Sequence, residues 1–322
     1  MSCAIIIPAI NLDSLLKKCI KECQKQKNTK VHIYILLDNL PSKKKKFKNV
    51  TFIKSLKNIS EKRNLGLKQT KHKYLAFIDS DAYPDKFWIS KSIEILKKNK
   101  NIGLVTGFDL SYPNEKGSSK LVGYVNQSKF TSGSKSFRKN LQSKSQFVNQ
   151  ASSCNMVMES SFYKKIGGMD ENIYVGEDIA FCNKVTKYKK IFFSNKSIIY
   201  HKSRSLVPFI FQRFVYGTSI ISTFKNFSLL RNFEYFIPLF IILVPIITLI
   251  FFTNFIKLNL IIYFFISLLV FLEAVKISGI RNSFSVYLLN ITSIISFGIG
   301  TLMSLFLSVK KIKKIYLIRD KS

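Results

Sequence analysis

The sequence contains few acidic residues, cysteines, histidines or tryptophans. Its 322 residues include 18 Asp and Glu, 3 His, 1 Trp and 5 Cys. Cys19 and Cys23 are one helical turn apart, but no histidine or second cysteine pair accompanies them, which argues against a zinc site. We expect the cysteines, at positions 3, 19, 23, 154 and 182, to be small, reduced and partly buried residues of a cytoplasmic domain.

The scarcity of acids leaves a large excess of positive charge. There are 51 Lys and Arg, and the formal net charge is +33. Such an excess is typical of proteins that bind nucleic acid, anionic membranes or anionic substrates, although a biased amino-acid composition would produce it equally well. Clustered arginine and aromatic motifs are lacking, so we expect no nucleic-acid partner. The run Lys43–Lys46 is interpreted as a solvated loop, with attraction to anionic headgroups as the alternative.

Long apolar stretches occur only in the last third of the chain. The segments 236–253, 258–275 and 284–309 are dominated by Ile, Leu, Phe and Val. A helix needs roughly 20 apolar residues to span the hydrocarbon core, so we expect about three transmembrane helices. No N-terminal signal peptide is expected, because Met1 leads directly into the apolar "CAIIIP" without a basic region.

The rest of the chain alternates short apolar runs with helical patterns. This alternation predicts an α/β fold with a mostly parallel sheet and flanking helices. Residues 111–147 are rich in Ser, Lys, Asn and Gly and are expected to form a long loop. We expect a catalytic domain over 1–203, interfacial amphipathic helices over 204–235, membrane helices over 236–309 and a basic tail over 310–322. The predicted strands are 3–11, 31–39, 49–55, 73–79 and 101–107, and the predicted helices are 12–26, 60–70 and 85–99.

Three acids follow predicted strands. Asp38 ends one strand, and Asp79 and Asp81 follow "YLAFI". Ligands of parallel sheets bind outside the carboxyl ends of the strands. The spacing Asp79-Ser80-Asp81 suits Mg²⁺ or Mn²⁺ bound to a diphosphate, because carboxylate oxygens are preferred ligands of these ions. The alternative is an ordinary turn, where aspartate is common.

Two further groups stand later in the chain. Glu177 and Asp178 follow Gly176 and precede an apolar helical run. They either cap a helix N-terminus or supply a general base. His201, in "IIYHKS", is either structural or a ligand of a transition metal such as Mn²⁺.

Taken together, these motifs resemble the family 2 glycosyltransferases with the Rossmann-like GT-A fold. The resemblance covers roughly residues 3–217 and rests on five stretches in the order and spacing of that family. They are "AIIIPAIN", "IYILLDN", "KRNLGLKQTKHKYLAFIDSDAYPDKFW", "SSCNMVMESSFYKKIGGMDENIYVGEDIAFCNKV" and "IIYHKS".

The resemblance implies a role for each matched residue. Asp178 would be the catalytic base, supported by Glu177, and Asp81 and His201 would ligate the metal. Gly167, Gly168 and Asp170 would form the turn ahead of the acceptor site. The residues implied to bind the nucleoside-diphosphate sugar are Pro8, Asn11, Asp38, Arg63, Asn64, Gly66, Asp79 and Ser80.

The family implies an inverting transfer from a nucleoside-diphosphate sugar. For a membrane-anchored member we expect a lipid-linked or membrane-proximal saccharide acceptor, in surface polysaccharide or glycolipid synthesis. The second strand ends in "LLDNLP" where many members have two acids, and "FQRFVYG" stands where processive synthases carry Gln-x-x-Arg-Trp. The first departure weakens the inference about donor-base contacts, and the second argues against a long-chain processive polymerase. The alternatives are a sugar nucleotidyltransferase, a basic membrane protein that binds nucleotides or nucleic acid, and a transporter.

The expected location is the inner membrane of a bacterium, as a multi-pass protein with membrane lipids as partners. Sugar nucleotides are cytoplasmic, so the catalytic domain should face the cytoplasm. Three spans would then place the tail, with its six Lys and Arg, outside, against the positive-inside tendency. Either one segment does not cross, or the tail is an exception.

Overall fold

The computed structural model describes residues 2–41, 47–220 and 229–306. The Lys43–Lys46 run, residues 221–228 of the expected interfacial stretch and the basic tail 310–322 lie outside the described residues. The chain divides into two compact units. The first unit comprises Met1–Tyr112 and Arg138–Lys202, and the second comprises Pro113–Phe137 and Ser203–Ser322.

The first unit is built on one mixed sheet. Among the described residues the sheet has nine strands, ordered 3-2-1-4-8-6-9-5 with the seventh strand beside the ninth. The strands are β1 (Ser2–Ala9), β2 (Lys30–Leu37), β3 (Val50–Lys54), β4 (Tyr74–Phe77), β5 (Ala82–Pro84), β6 (Ile102–Ser111), β7 (Gln146–Val148), β8 (Met156–Glu159) and β9 (Lys190–His201).

Helices cover both faces of this sheet. Successive side chains of a strand point to opposite faces, and β1 is apolar on both. Ile5 and Ile7 join the core on one face of the sheet, whereas Ala4 and Ile6 join the core on the other face. The helices of this unit are α1 (Ser14–Gln24), α2 (Ile59–Lys68), α3 (Trp88–Lys98), α6 (Ser160–Lys165) and α7 (Glu177–Thr186).

The predicted α/β class is confirmed, with one refinement. β1, β2, β3 and β4 are parallel neighbours, as expected. β8 runs antiparallel to both β4 and β6, and β5 and β7 run antiparallel to β9. The second half of the sheet is therefore mixed, because these later strands do not return through helical crossovers.

Two elements differ from the sequence expectation in extent. β6 continues to Ser111, four residues beyond the predicted end at 107, and carries Asp109 near its end. The expected loop 111–147 contains the helices α4 (Gly117–Val125) and α5 (Lys129–Ser132) and a 3₁₀ segment (Gly133–Lys139). The apolar residues Val122 and Val125 of α4 are buried, which explains why this polar-looking stretch is ordered.

The second unit is helical. In addition to α4 and α5 it contains α8 (Leu206–Thr218), a 3₁₀ segment (Leu229–Phe236), α9 (Ile237–Phe251), a 3₁₀ turn (Thr253–Phe255), α10 (Ile256–Ser278) and α11 (Ile280–Ser304). Within the described residues, three helical stretches are long and apolar enough to cross a membrane: Phe233–Phe251, Thr253–Ser278 and Ile280–Ser304.

Small residues bring α8 and α11 into backbone contact. A Cβ atom added to Gly217 would lie 2.1 Å from the carbonyl oxygen of Phe297, and one added to Gly300 would lie 2.2 Å from that of Phe214. Such close approach is typical of helices that pack within membranes. The interfacial position expected for the 204–235 stretch remains a prediction.

Polar residues of the apolar helices are paired with the helices of Pro113–Phe137. Glu273 accepts hydrogen bonds from the Ser128 hydroxyl and from the backbone N–H of Lys129, the latter at 3.0 Å. Asn290 accepts one from the Thr131 hydroxyl at 2.6 Å. A carboxylate or amide away from water is costly without a partner, so these contacts offset part of the cost of placing Glu273 and Asn290 there.

The position of α2 depends on a glycine. A Cβ atom at Gly66 would lie 2.7 Å from Cγ2 of Ile6, a fully buried residue of β1. Gly66 therefore lets α2 lie close against the sheet. The same helix carries Lys62 and Arg63, which reach the carboxyl end of the sheet.

We predict that Gly66→Ala destabilises the protein by about 1–3 kcal/mol through overpacking, although alanine favours a helix over glycine. Replacing Ile6 by alanine removes all the side-chain atoms in the close contact. Gly66→Ala should therefore cost much less in an Ile6→Ala background. Thermal unfolding of the four proteins of this cycle measures the difference, and equal costs in both backgrounds would contradict the packing role.

Candidate active site

Asp79 and Asp81 lie at the carboxyl end of the sheet, as the sequence predicts. They occupy the short connection between β4 and β5. The thiol of Cys19 on α1 donates to the carbonyl oxygen of Asp79, with 3.6 Å between sulfur and oxygen. β5 then pairs with β9 so that Ala82 is opposite His201. This pairing brings the sequence-distant His201 beside Asp81.

Asp79, Asp81 and His201 form a group suited to a divalent cation. Each offers one ligand atom, and these atoms lie within 4.8 Å of one another. His201 Nε2 is 3.0 Å from a carboxylate oxygen of Asp81. Burial alone would lower the pKa of His201, but Asp81 and Asp109 raise it well above its usual value. Two carboxylates and an imidazole fit Mn²⁺, and the oxygen donors also fit Mg²⁺.

Arg63 connects the first acidic motif to the second. Its guanidinium donates to Asp79 at 2.8 Å and to Glu177 at 3.2 Å, and its side chain is only 1% exposed. Burial would lower the pKa of Arg63, but the carboxylates of Asp79 and Glu177 raise it above its ordinary value. A buried guanidinium between two acids fixes the separation of the elements that carry them.

Glu177 and Asp178 form the first turn of α7, directly after Gly176 in the left-handed conformation (φ 78°). A carboxylate oxygen of Asp178 accepts the backbone N–H of Ile179 at 2.8 Å. Burial, followed by the nearby charge of Asp178, raises the pKa of Glu177 to about 7, although Arg63 opposes the shift. The acids begin a helix, as the capping interpretation predicts, and Glu177 contacts Arg63. The role of Asp178 as a general base stays a prediction.

Asp38 is held by a lysine that sequence reasoning did not identify. Lys62 Nζ forms an ion pair with Asp38 and donates to the carbonyl oxygen of Ala9 at 2.7 Å. The Lys62 side chain is 6% exposed. Nearby, the Asn39 side chain donates to that of Asn11 at 2.9 Å. These residues lie where β1 and β2 end.

The other predicted donor-binding residues have varied surroundings. Pro8 is buried in β1 beside Leu36 of β2. Ser80 is partly exposed between the two aspartates. Gly66 packs against Ile6 of β1, and the Asn64 side chain forms hydrogen bonds with other residues of the protein.

Asn64 holds the turn formed by Gly167 and Gly168, whose φ angles are 75° and 63°. Its amide nitrogen donates to the Met169 carbonyl at 2.9 Å, and its oxygen accepts the Tyr163 hydroxyl at 2.6 Å. The turn and α2 are therefore fixed to each other. Asn64 therefore stabilises the turn, and a contact between Asn64 and the donor stays a prediction.

Asp109 and Lys139 also belong to the site and were missed. Asp109 lies near the end of β6, with one carboxylate oxygen 2.9 Å from Lys139 Nζ and the other 3.6 Å from His201 Nδ1. Burial would raise the pKa of Asp109, but Lys139 and His201 lower it well below its usual range. The signal was present, because Asp109 follows an apolar run just as Asp38 and Asp79 do. The predicted strand ends at residue 107, two residues before Asp109 and four before the end of β6.

Comparison with known proteins identifies the family to which this chain belongs. The description "Glycosyl transferase family 2" matches residues 4–167, about half of the chain. The chain therefore belongs to glycosyl transferase family 2, and the predicted GT-A fold is confirmed. This membership favours a glycosyltransferase over the nucleotidyltransferase, nucleic-acid-binding and transporter alternatives.

Among solved structures, the chain is similar to the crystal structure of S. aureus TarS 1–349. The two share 13% identity with a TM-score of 0.49, over 94% of this chain and 91% of that one. A search of curated proteins gave no match.

The raised pKa of Glu177 predicts a pH-dependent stability. Its value of about 7 in the folded protein exceeds the ordinary 4.5, so the folded state binds this proton more tightly than the unfolded chain. The stabilisation is fully present below the ordinary value and is lost as the pH rises through the folded value. Glu177→Gln cannot ionise. Its melting temperature relative to wild type should therefore be higher at about pH 8 than at about pH 5, with EDTA present.

The matched control for this measurement is Glu94→Gln. Glu94 lies on α3, is 45% exposed and pairs with Lys91. Its effect on the melting temperature should be the same at both pH values. If Glu177→Gln behaves in the same way, the folded pKa of Glu177 is not raised.

Proposed function

We propose that this family 2 glycosyltransferase is an inverting, metal-assisted enzyme. It transfers a sugar from a nucleoside-diphosphate sugar to a lipid-linked or membrane-proximal saccharide acceptor, in surface polysaccharide or glycolipid synthesis. The observation that carries the proposal is the pair of ion pairs that Arg63 makes with Asp79 and Glu177. Arg63 thereby places the acid proposed to hold the cation close to the motif that contains the proposed base.

Asp178 acts as the general base. It takes the proton of an acceptor hydroxyl as that oxygen attacks the anomeric carbon of the donor. A bond forms between the hydroxyl oxygen and the anomeric carbon, and the bond from that carbon to the diphosphate oxygen breaks on the opposite face. The attack inverts the configuration of the sugar. The N-terminal turn of α7 fixes the position of the Asp178 carboxylate through its bond with the Ile179 N–H.

Asp79, Asp81 and His201 would hold the divalent cation. When bound, Mg²⁺ or Mn²⁺ offsets the negative charge that develops on the diphosphate leaving group. Arg63 neutralises the carboxylates of Asp79 and Glu177. Lys62 orients Asp38 toward the base or ribose of the donor. These side chains, together with the metal, would offset the negative charge of an acidic site that binds an anionic donor.

We predict that Asp178→Asn lowers the transfer rate by about 10²–10⁴-fold, because the amide cannot accept the proton. Asp81→Ala should abolish metal-stimulated transfer. Both variants should melt close to the wild-type temperature, since neither residue is in the core. The assay uses the full chain in detergent with a panel of UDP-, GDP- and dTDP-sugars and mass detection of the product.

Glu94→Gln, on the surface of α3, is the control and should keep wild-type turnover. Near-normal turnover by Asp178→Asn would refute its role as base. No turnover or binding by the wild type across the donor panel would count against the whole proposed reaction.

The proposed location is the inner membrane of a bacterium. The three apolar helices support a multi-pass protein, and the sugar-nucleotide donor requires the first unit to face the cytoplasm. A lipid-linked acceptor would then meet the site at the membrane surface. Three crossings place the chain after α11 on the opposite side from the first unit.

We predict that an alkaline phosphatase fused at Ser322 is active, because this reporter works only outside the cytoplasm. A fusion after Gly279, between α10 and α11, should be inactive. An inactive fusion at Ser322 would mean that one of the three helices does not cross the membrane. The positive-inside tendency favours a cytoplasmic tail and therefore an inactive fusion, so the measurement separates the two topologies directly.

A further inference from the structure

The two ring nitrogens of His201 face different groups. Nε2 lies 3.0 Å from Asp81, on the side of the cation-binding group. Nδ1 lies 3.6 Å from Oδ1 of Asp109. An imidazole that binds a cation through one nitrogen carries its proton on the other, so the group at Nδ1 determines how the ring is held.

A bulge in the sheet brings Asp109 to the same face as His201. β6 and β9 are parallel neighbours, and Gly107 pairs with Ser194, but the next residue, Phe108, pairs with Ile198. Asp109 consequently pairs with Ile199, two residues before His201, and neighbours at this spacing share a face. A continuous register would pair Asp109 with residue 196 and leave His201 on the opposite face. Bulges near functional sites commonly redirect a side chain in this way.

A glycine permits this bulge. A Cβ atom on Gly107 would lie 1.8 Å from the carbonyl oxygen of Ser197. Only a residue without a side chain fits beside the extra residues of β9. The local sequence therefore specifies the bulge, and with it the meeting of Asp109 and His201.

One carboxylate oxygen of Asp109 is paired, and the other is close to His201 without forming a hydrogen bond. Its side chain is 10% exposed, and Oδ2 is 2.9 Å from Lys139 Nζ. Oδ1 is buried and has no hydrogen-bond partner within the described part of the chain. A buried carboxylate oxygen without a donor is costly. His201 Nδ1 is close to it, and a ring movement of about 0.5 Å would bring the pair to hydrogen-bond distance.

We propose that Asp109, held by Lys139, is a positioning residue for the metal site. It accepts the Nδ1–H of His201 and so fixes the ring with Nε2 directed at the cation held by Asp79 and Asp81. This inference rests on the metal site of the proposed function. Carboxylates behind metal-ligating histidines commonly change metal affinity by about 10- to 100-fold.

The test is a double-mutant cycle on Mn²⁺ affinity, with the full chain in detergent and no donor present. Free Mn²⁺ is measured by electron paramagnetic resonance for wild type, Asp109→Asn, His201→Ala and the double variant. We expect Asp109→Asn to weaken binding by about tenfold or more. In the His201→Ala background, Asp109→Asn should change the affinity by less than about twofold, because its effect passes through the ring.

A second variant removes the buried charges together. Asp109→Asn alone leaves Lys139 without its carboxylate, which can destabilise the fold. Asp109→Asn with Lys139→Met removes both charges, and it should show the same loss of affinity at a melting temperature nearer to wild type. Glu94→Gln is again the surface control and should bind Mn²⁺ like wild type.

The outcomes separate this inference from the metal site itself. If wild type binds Mn²⁺ and His201→Ala weakens binding but Asp109→Asn does not, the positioning role is overturned and the metal site stands. Equal losses from Asp109→Asn in both backgrounds also overturn it. If wild type binds no Mn²⁺, the metal site fails and the inference fails with it.

Discussion

A single buried guanidinium ties the two acidic motifs of this protein together. Arg63 is 1% exposed and donates to Asp79 and Glu177, which are 98 positions apart in the sequence. A charge at this depth is stable only if it is paired, and removal of one partner of a buried ion pair typically costs about 3–5 kcal/mol. The position of α2, fixed by Gly66 against Ile6, sets where this guanidinium lies. The geometry of the candidate active site therefore depends on a packing contact in the core.

Each acid at the carboxyl end of the sheet has a basic partner, and the partners differ in kind. Asp38 has Lys62, Asp109 has Lys139, and Asp79 shares Arg63 with Glu177. Asp81 is paired with His201, an imidazole that can give up its proton and bind a metal. The two lysines and the arginine hold the acids that they contact in place. Of the two acids proposed to hold the metal, Asp79 is held by Arg63, and Asp81 has the exchangeable histidine partner.

The local pattern of apolar and acidic residues was sufficient to predict the fold and part of the candidate site. The apolar runs of β1, β2 and β4 predicted parallel strands, and the acids after them predicted their common edge. Lys62 was missed because a lysine on the buried face of α2 has no local signal; its partner is 24 positions earlier. Asp109 was missed for another reason. Its strand is longer than the apolar run, since pairing with β9 extends it to Ser111.

Asp109 and Lys139 also mark the two ends of an excursion of the chain. Between them lies Pro113–Phe137, which belongs to the helical second unit. The ion pair closes this excursion at its base within the first unit. A closed base limits the conformations open to the intervening segment, since loop entropy depends on the distance between its ends. The same ion pair holds the carboxylate that faces His201. One contact therefore both closes the base of this excursion and holds the carboxylate proposed to position His201.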